Sequence, residues 1–341
     1  MQAQQIFFPK AGEVAFETID LPELGAHQVL VEMISSVISP GTELAWLHAQ
    51  PNTPKKFPMR IAYCSCSRVI RVGDDVTALK EGQIVAHQSL HASALVLEAD
   101  RCLPVPEGVR PEEAAASPLI AIALQGIRKS QVTIGESVAV FGLGPIGNLA
   151  GQLARICGAI RVVGIDPDPW RCDLALECGF DEARTELLPA GQPNRDEEGY
   201  EVVIEASGIP AAVKNAVQAA SQFGRVVLLG STRGSVEEID VYTLIHKKGL
   251  TIIGAHNARR PAVDNMFTVK TMQTDRSISL SLLVQGRIKV LPLISDQVPA
   301  TETPEAYQRL WARRENLATI ALDWTNLPED FHAVSQGRDN I

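Results

Sequence analysis

The stretch that most limits what this chain can become is 137–157, SVAVFGLGPIGNLAGQLARIC. A short apolar run leads into glycines at 142, 144 and 147, and an Ala/Leu-rich segment opens on Pro145. That order describes a buried strand that turns directly into a helix. Gly142 permits the tight turn, Gly144 lets backbone approach a pyrophosphate, and Gly147 allows the helix to pack closely on its strand. Pro145 and Ile146 complete the first turn, whose free N–H groups attract phosphate. About 20 residues on, RVVGIDPD ends a second strand in Asp166, suited to accept hydrogen bonds from ribose hydroxyls. A carboxylate there repels a 2′-phosphate, so the expected dinucleotide is NAD, with NADP the less favoured choice. Arg171, in the helix that follows, joins the candidate cofactor-binding residues.

Further strands and helices alternate after this unit. EVVIEASG, RVVLLGS and LTIIGAH are short apolar runs, and IPAAVKNAVQAASQFG is a helical segment between two of them. This βαβ rhythm predicts a doubly wound parallel sheet of the α/β class, with ligands bound at the carboxyl ends of the strands. Ser207 and Gly230 end later strands on that edge and are candidate contacts for the nicotinamide half. Glu205 beside them reads equally well as a solvated strand-end carboxylate.

The first hundred residues differ: QQIFFP, VAFETID, QVLVEMISSVIS, SRVIRVG and ALVLEA are short alternating or β-branched runs divided by Pro, Gly and Asp, as in a mostly antiparallel β domain. After Pro261 the regular alternation is lost, and a helix near SISLSLLVQG, another in TPEAYQRLWARRE and a strand ATIALDW follow. The division expected is therefore 1–118 with 256–341 as a mostly-β domain, and 119–255 as the dinucleotide-binding domain. The polar tail from Asn326 either frays or docks on a partner subunit.

Composition narrows the function. The 341 residues carry a net charge of −9, with no clustered basic face, which argues against nucleic acid or an anionic membrane as partner. A small-molecule substrate fits better. No apolar run approaches the roughly 18 residues of a membrane span, and the N-terminus has no leader pattern, so the expected location is cytoplasmic. The six cysteines, at 64, 66, 102, 157, 172 and 178, do not form a disulfide framework and read as packed thiols. Cys64 and Cys66 start no metal site that a later Cys/His cluster completes.

With HQVLVEM, VGDDV, GQIVA, LPVPEGVRPEEAAASPL, the glycine fingerprint and the closing PEAYQRLW…ATIALDW, the chain resembles the medium-chain dehydrogenase/reductase superfamily along nearly its whole length. The resemblance implies a Rossmann domain inserted in a GroES-like domain, hydride transfer with a nicotinamide cofactor, and a homodimer or homotetramer, with the strand near LTIIGAH as the pairing edge. It also implies a catalytic zinc held by a Cys-x-Thr/Ser-Asp motif, a Gly-His-Glu motif and a later Cys or acid. Here these positions read SPGTE, with Pro40 for the Cys and Thr42-Glu43 for the Thr-Asp, then Ala62-Tyr63-Cys64, then Ser117. The four-cysteine structural zinc loop is missing too. The expectation is an enzyme with no zinc.

Without a Lewis acid, protein groups must stabilise an alkoxide and carry its proton. Thr42 matches the family's hydroxyl relay. Tyr63 stands where a metal ligand would, and its phenol can act if its surroundings lower its pKa from about 10; a pocket-wall aromatic is the competing reading. His91 and His256 are the candidate general acid/bases, with a structural role as the alternative for each, and Glu43 completes the catalytic candidates. Arg259 and Arg260 read either as a clamp for an acidic or polyhydroxylated substrate or as a solvated basic loop. The function expected is a zinc-independent, NAD-dependent dehydrogenase acting on a secondary alcohol or ketone, polyol or sugar-like. The alternatives are a zinc-free NADPH quinone or enoyl reductase and a catalytically silent nucleotide-binding protein.

Overall fold

The computed structural model describes residues 1–186, 199–237, 239–264, 270–313, 316–328 and 331; most of the polar tail lies outside them. The chain opens with strands β1 (Gln2–Phe7), β2 (Ala15–Asp20) and β3 (Gln28–Val37), then helix α1 (Pro40–Leu47). Strands β4 (Ser65–Val72), β5 (Ile84–His87), β6 (Ala94–Glu98) and β7 (Leu103–Pro104) follow, with helices α2 (Pro111–Ala115) and α3 (Ser117–Ser130). The alternating part contains β8 (Ser137–Phe141), α4 (Pro145–Ile156), β9 (Arg161–Ile165), α5 (Pro169–Glu177), β10 (Glu182–Arg184), β11 (Tyr200–Glu205), α6 (Pro210–Ala219), β12 (Ala220–Leu228) and β13 (Thr251–Gly254). It closes with α7 (Met272–Val284), β14 (Ile294–Pro299), α8 (Thr303–Ala312) and β15 (Thr319–Asp323).

Two compact units result: residues 1–118 with 294–341, and 119–293. The sequence returned the chain to the first domain at 256, whereas residues 256–293 pack with the second unit. The reason is polar anchorage that a periodicity reading does not see. Asp275 on α7 is fully buried and accepts from Arg128 of α3, and Gln152 of α4 exchanges hydrogen bonds with the backbone of Lys289.

In the second unit, six parallel strands lie in the order β10-β9-β8-β11-β12-β13, the doubly wound arrangement that the alternation predicted. Its strands are near-continuous apolar runs because both faces are covered. Val138, Ala139, Val140, Val162, Val163, Val202, Val203 and Ile204 are all fully buried.

In the first unit, a seven-stranded sheet runs β14-β15-β3-β4-β5-β7, with β6 also on β3, and β1 and β2 form a separate antiparallel pair. All its pairings except β14 with β15 are antiparallel, as the short alternating runs suggested. Phe8, Met33, Ile38, Leu44, Tyr307, Ile320, Leu322 and Trp324 build one core, and Phe8 meets the Tyr307 ring edge-on at 5.4 Å. Each large apolar side chain sealed there contributes about 1.5–3 kcal/mol. That core holds α1 and α8 against the sheet, and so positions the polar groups described next. No helix among the described residues is long and apolar enough to cross a membrane.

Candidate active site

Two groups of predicted residues come together, one in each unit. In the second unit, the parallel register pairs Phe141 with both Ile165 and Glu205, and Glu205 with Leu228. Gly142, Asp166, Ser207 and Gly230 consequently share the carboxyl edge of the sheet. Gly142 has φ +87°, and a Cβ there would stand 2.7 Å from Ser207. A Cβ on Gly147 would collide with the Gly142 carbonyl, while above Gly144 the nearest atom is Arg171 Nη1 at 3.9 Å. Space is thus left where a pyrophosphate would lie, over the half-buried Gly144, Pro145 and Ile146 at the start of α4. The Asp166 carboxylate accepts from Leu143 N (2.8 Å) and Asp168 N (3.0 Å), tying the glycine turn to β9. A carboxylate has about four lone-pair sites, so acceptor capacity for a ribose remains. Arg171 lies 3.8 Å from Asp166 and 3.7 Å from Asp168. These residues fit a dinucleotide.

Glu205 is not the solvated carboxylate that one reading had it be. It is fully buried, and one oxygen accepts from Ser207 N (2.8 Å), Ser207 Oγ and Gly208 N (3.1 Å). Burial pushes its pKa up against the pull of these donors. Ser207 is half-buried and spends its hydroxyl on Glu205, while its Oγ accepts from Ile209 N at 3.0 Å.

In the first unit, Ser39 is the extended N-cap of α1, and Pro40 fills N1, where its missing N–H costs nothing. The Ser39 hydroxyl does not cap the helix; it bonds the Tyr63 phenol, and the Thr42 side chain lies close enough to work with Ser39 in pulling that phenol's pKa down. Ser39 is buried, and Tyr63 and Thr42 are half-buried. Burial raises the Tyr63 pKa, helped by the neighbouring Cys64 and opposed by Ser39 and Thr42. The condition set for the phenol, a lowered pKa, is therefore not met: desolvation wins and the phenol stays protonated, which suits it to donate to an alkoxide.

Beneath this cluster, Glu43 is fully buried. It accepts from Ser39 N (2.7 Å), the Tyr307 hydroxyl and His91 Nε2 (3.1 Å). His91, 1% exposed, reaches Ser36 Oγ through Nδ1 at 2.8 Å, and Trp324 Nε1 donates to the same oxygen at 2.9 Å. His91 and Glu43 are thus brought together with Tyr63 and Thr42, as interior supports without solvent access. His256 is not among them: it is exposed in the second unit, and its Nδ1 accepts from Ala258 N at 3.2 Å to start a short 3₁₀ turn. Arg260 is committed as well, with Nε on Asn257 (2.8 Å) and Nη1 on Asp275 (2.6 Å), and its side chain is 6% exposed. Packing of α7 takes Arg260 out of the clamp that the sequence suggested, while Arg259 stays exposed.

Sequence reasoning missed Ser39, Ser36, Tyr307 and Trp324. Ser39 was visible as the Ser of SPGTE, but its hydroxyl partner was not. Tyr307 and Trp324 join from distant segments that carry no motif.

The positions the family uses for zinc do not fit the ion. Pro40 has no donor, Tyr63 is a protonated phenol already bonded to Ser39, and Ser117 replaces the later ligand. Cys64 is fully buried, and burial pushes the Cys66 thiol to about 12, far from the thiolate that binds metal. Glu43 already holds three donors. Among the described residues, no group of three or more His, Cys, Asp or Glu side chains is placed to hold a metal.

A family model described as zinc-binding dehydrogenase matches residues 145–269. L-threonine 3-dehydrogenase of Bacillus licheniformis is 27% identical, the alignment covering 88% of this chain and 93% of that protein. Among solved structures, one described as a zinc-binding dehydrogenase, from Sinorhizobium meliloti and bound to NADP, superposes with TM-score 0.80 at 22% identity, over 95% of this chain and 99% of the other. Galactitol-1-phosphate dehydrogenase of Escherichia coli gives TM-score 0.80 at 19% identity, over 94% and 99%.

Proposed function

The chain belongs to the medium-chain dehydrogenase/reductase superfamily, and from that premise we propose that it is a zinc-independent, NAD-dependent dehydrogenase of polyol or sugar-like secondary alcohols and their ketones. It is an NAD(P)-dependent oxidoreductase acting on CH–OH and C=O groups, as its relatives' names are. The observation that carries the finer reading is the Tyr63 phenol, bonded to Ser39 and beside Thr42, where the family places metal ligands.

When bound, the nicotinamide supplies or takes the hydride. The Gly142–Gly147 turn and the α4 N-terminus would hold its pyrophosphate, and Asp166 would take the ribose hydroxyls and disfavour a 2′-phosphate. In ketone reduction, the protonated Tyr63 hydroxyl donates to the carbonyl oxygen and gives up its proton as the alkoxide forms. Ser39 donates a hydrogen bond to the resulting phenolate, which regains its proton from solvent water by way of the half-buried Thr42 hydroxyl, each proton given being replaced from water. In oxidation the same path runs in reverse, the phenol first passing its proton out to solvent so that it can take the alcohol's. Such general acid/base catalysis is worth about 10²–10⁴-fold, so a bound metal is not required for the proton step.

The reading includes a reducing, cytoplasmic setting, supported by six cysteines without a disulfide. It includes a homodimer or homotetramer joined through β13, which lies at the end of its sheet with Ile252 40% exposed. The test is metal analysis of the purified protein, with NADH formation across polyols, sugars and secondary alcohols before and after chelation. Turnover without stoichiometric zinc, reduced about 10²–10⁴-fold by Tyr63→Phe, supports the reading. Stoichiometric zinc with chelator-sensitive turnover overturns it.

A further inference from the structure

We propose that His91 and Tyr307 are positioning residues for Tyr63: they hold the Glu43 carboxylate across the first turn of α1, and Glu43 in turn sets Ser39 and the phenol it bonds. The inference rests on the reading of Tyr63 as proton donor and adds residues that do not touch substrate.

The first support is the diverted cap. A Ser at an N-cap normally spends its hydroxyl on the N–H of N2 or N3, for about 1 kcal/mol of helix stability. Ser39 gives that bond up and faces Tyr63 instead. Glu43, in the first turn, compensates by reaching back to the Ser39 N–H at 2.7 Å, where its charge also suits the helix dipole. One residue thus carries both the anchored N–H and the hydroxyl that meets the phenol. Moving the anchor moves the phenol's partner.

The second support is a hydrogen-bond chain that closes without a spare donor or acceptor at the imidazole. Trp324 Nε1 can only donate, so Ser36 Oγ accepts from it and has its own proton to give to His91 Nδ1. His91 Nε2 then donates to Glu43, and the Tyr307 hydroxyl donates to the same carboxylate oxygen. Side chains from the segment before β6 and from α8 meet on the fully buried Glu43 carboxylate, and Ser36 of β3 with Trp324 after β15 braces the histidine behind it. A carboxylate at a helix start needs one cap bond; this one has three donors, two of them from outside its own helix. The geometry over-determines where the start of α1 stands.

Because Glu43 anchors the residue whose hydroxyl meets the phenol, its loss is read at the phenol itself. Label the tyrosines with ¹³C at Cζ, assign Tyr63 by Tyr63→Phe, and record its resonance at neutral pH in the intact protein and in Glu43→Gln, His91→Gln and Tyr307→Phe. The Tyr63 resonance should move in all three. With the alcohol that turns over fastest in the panel, kcat falls about 10–100-fold, the cost of a small misplacement, while KM stays within about twofold. Tyr307→Phe keeps the ring in the core, and so serves if the other variants fail to fold. An unmoved Tyr63 resonance and wild-type kcat in the folded variants, with Tyr63→Phe inactive, overturn the positioning proposal alone. Full turnover in Tyr63→Phe overturns the catalytic reading on which it rests.

Discussion

Removing the Asp275 carboxylate should unfold the second unit's seam without first touching chemistry. Asp275 is fully buried and holds Arg128 Nε at 3.0 Å and Arg260 Nη1 at 2.6 Å. In Asp275→Ala, the Arg260 guanidinium, 6% exposed, keeps only Asn257 and backbone carbonyls around an uncompensated charge. Leaving one member of a buried ion pair unpaired costs about 3–5 kcal/mol. Arg128 is 27% exposed and adds less, because water reaches it. Arg260→Ala should cost less than Asp275→Ala, since the carboxylate retains Arg128. Of the four tryptophans, Trp170 is the one in the second unit, so its ¹⁹F resonance in 5-fluorotryptophan protein follows that unit during urea unfolding. At a slope of about 2 kcal/mol/M, the midpoint for Asp275→Ala moves down by roughly 2 M. A midpoint displaced by less than about 0.3 M in both variants, with KM for an acidic or polyhydroxylated substrate raised in Arg260→Ala, would refute this account and restore the clamp.

Gly147→Ala drives a methyl into the Gly142 carbonyl, so the glycine turn must open; NADH affinity read by fluorescence should fall at least about tenfold, or 1.4 kcal/mol. Asp166→Ala removes the acceptor of Leu143 N and Asp168 N together with the charge facing a 2′-phosphate; NADH binding should weaken and preference should move toward NADPH, and an unchanged ratio of the two affinities would contradict the assignment. Glu205 has a folded pKa raised above 4.5, so its contribution to stability is fully present below that pH and is lost as pH rises through the folded value. Thermal melts of Glu205→Gln should therefore gain on wild type as pH rises from 4.5 through the folded value; a gap independent of pH argues against a raised pKa at Glu205.

The dinucleotide site was legible because its chemistry is local. Glycine turn, helix start and strand-end acid sit within one βαβ segment, and each is demanded by backbone geometry or by charge at a helix terminus. The first unit's site was half legible. Pro40, Thr42, Glu43 and Tyr63 stood out by position, but the sign of the Tyr63 pKa depends on what surrounds it, and burial decides that. Tyr307 meets Glu43 across 264 residues and Trp324 meets Ser36 across 288, separations at which a single sequence offers no periodicity to read. His256 kept two readings because a histidine after a strand reads alike whether it faces a ligand or caps a turn, and its Nδ1 does cap one. The division at 256 misled because the strand–helix rhythm stops there, although α7 is held to α3 by buried charge.

The same long separations set an order of events during synthesis. The second unit is one contiguous stretch of chain, 119–293, and has all its strands once it has left the ribosome. The first unit does not: β3 lacks β15, and Glu43 lacks Tyr307, until the C-terminal segment arrives. At about 5–20 residues per second, the 264 residues between Glu43 and Tyr307 take roughly 15–50 s to make. Through that interval the Ser35–Val37 end of β3 is left unpaired on its β15 edge, beyond its β6 partner, and the supports beneath Tyr63 are incomplete. A nascent chain can therefore fold its second unit early while the cluster around Tyr63 stays unassembled, its completion timed by the last strand to emerge.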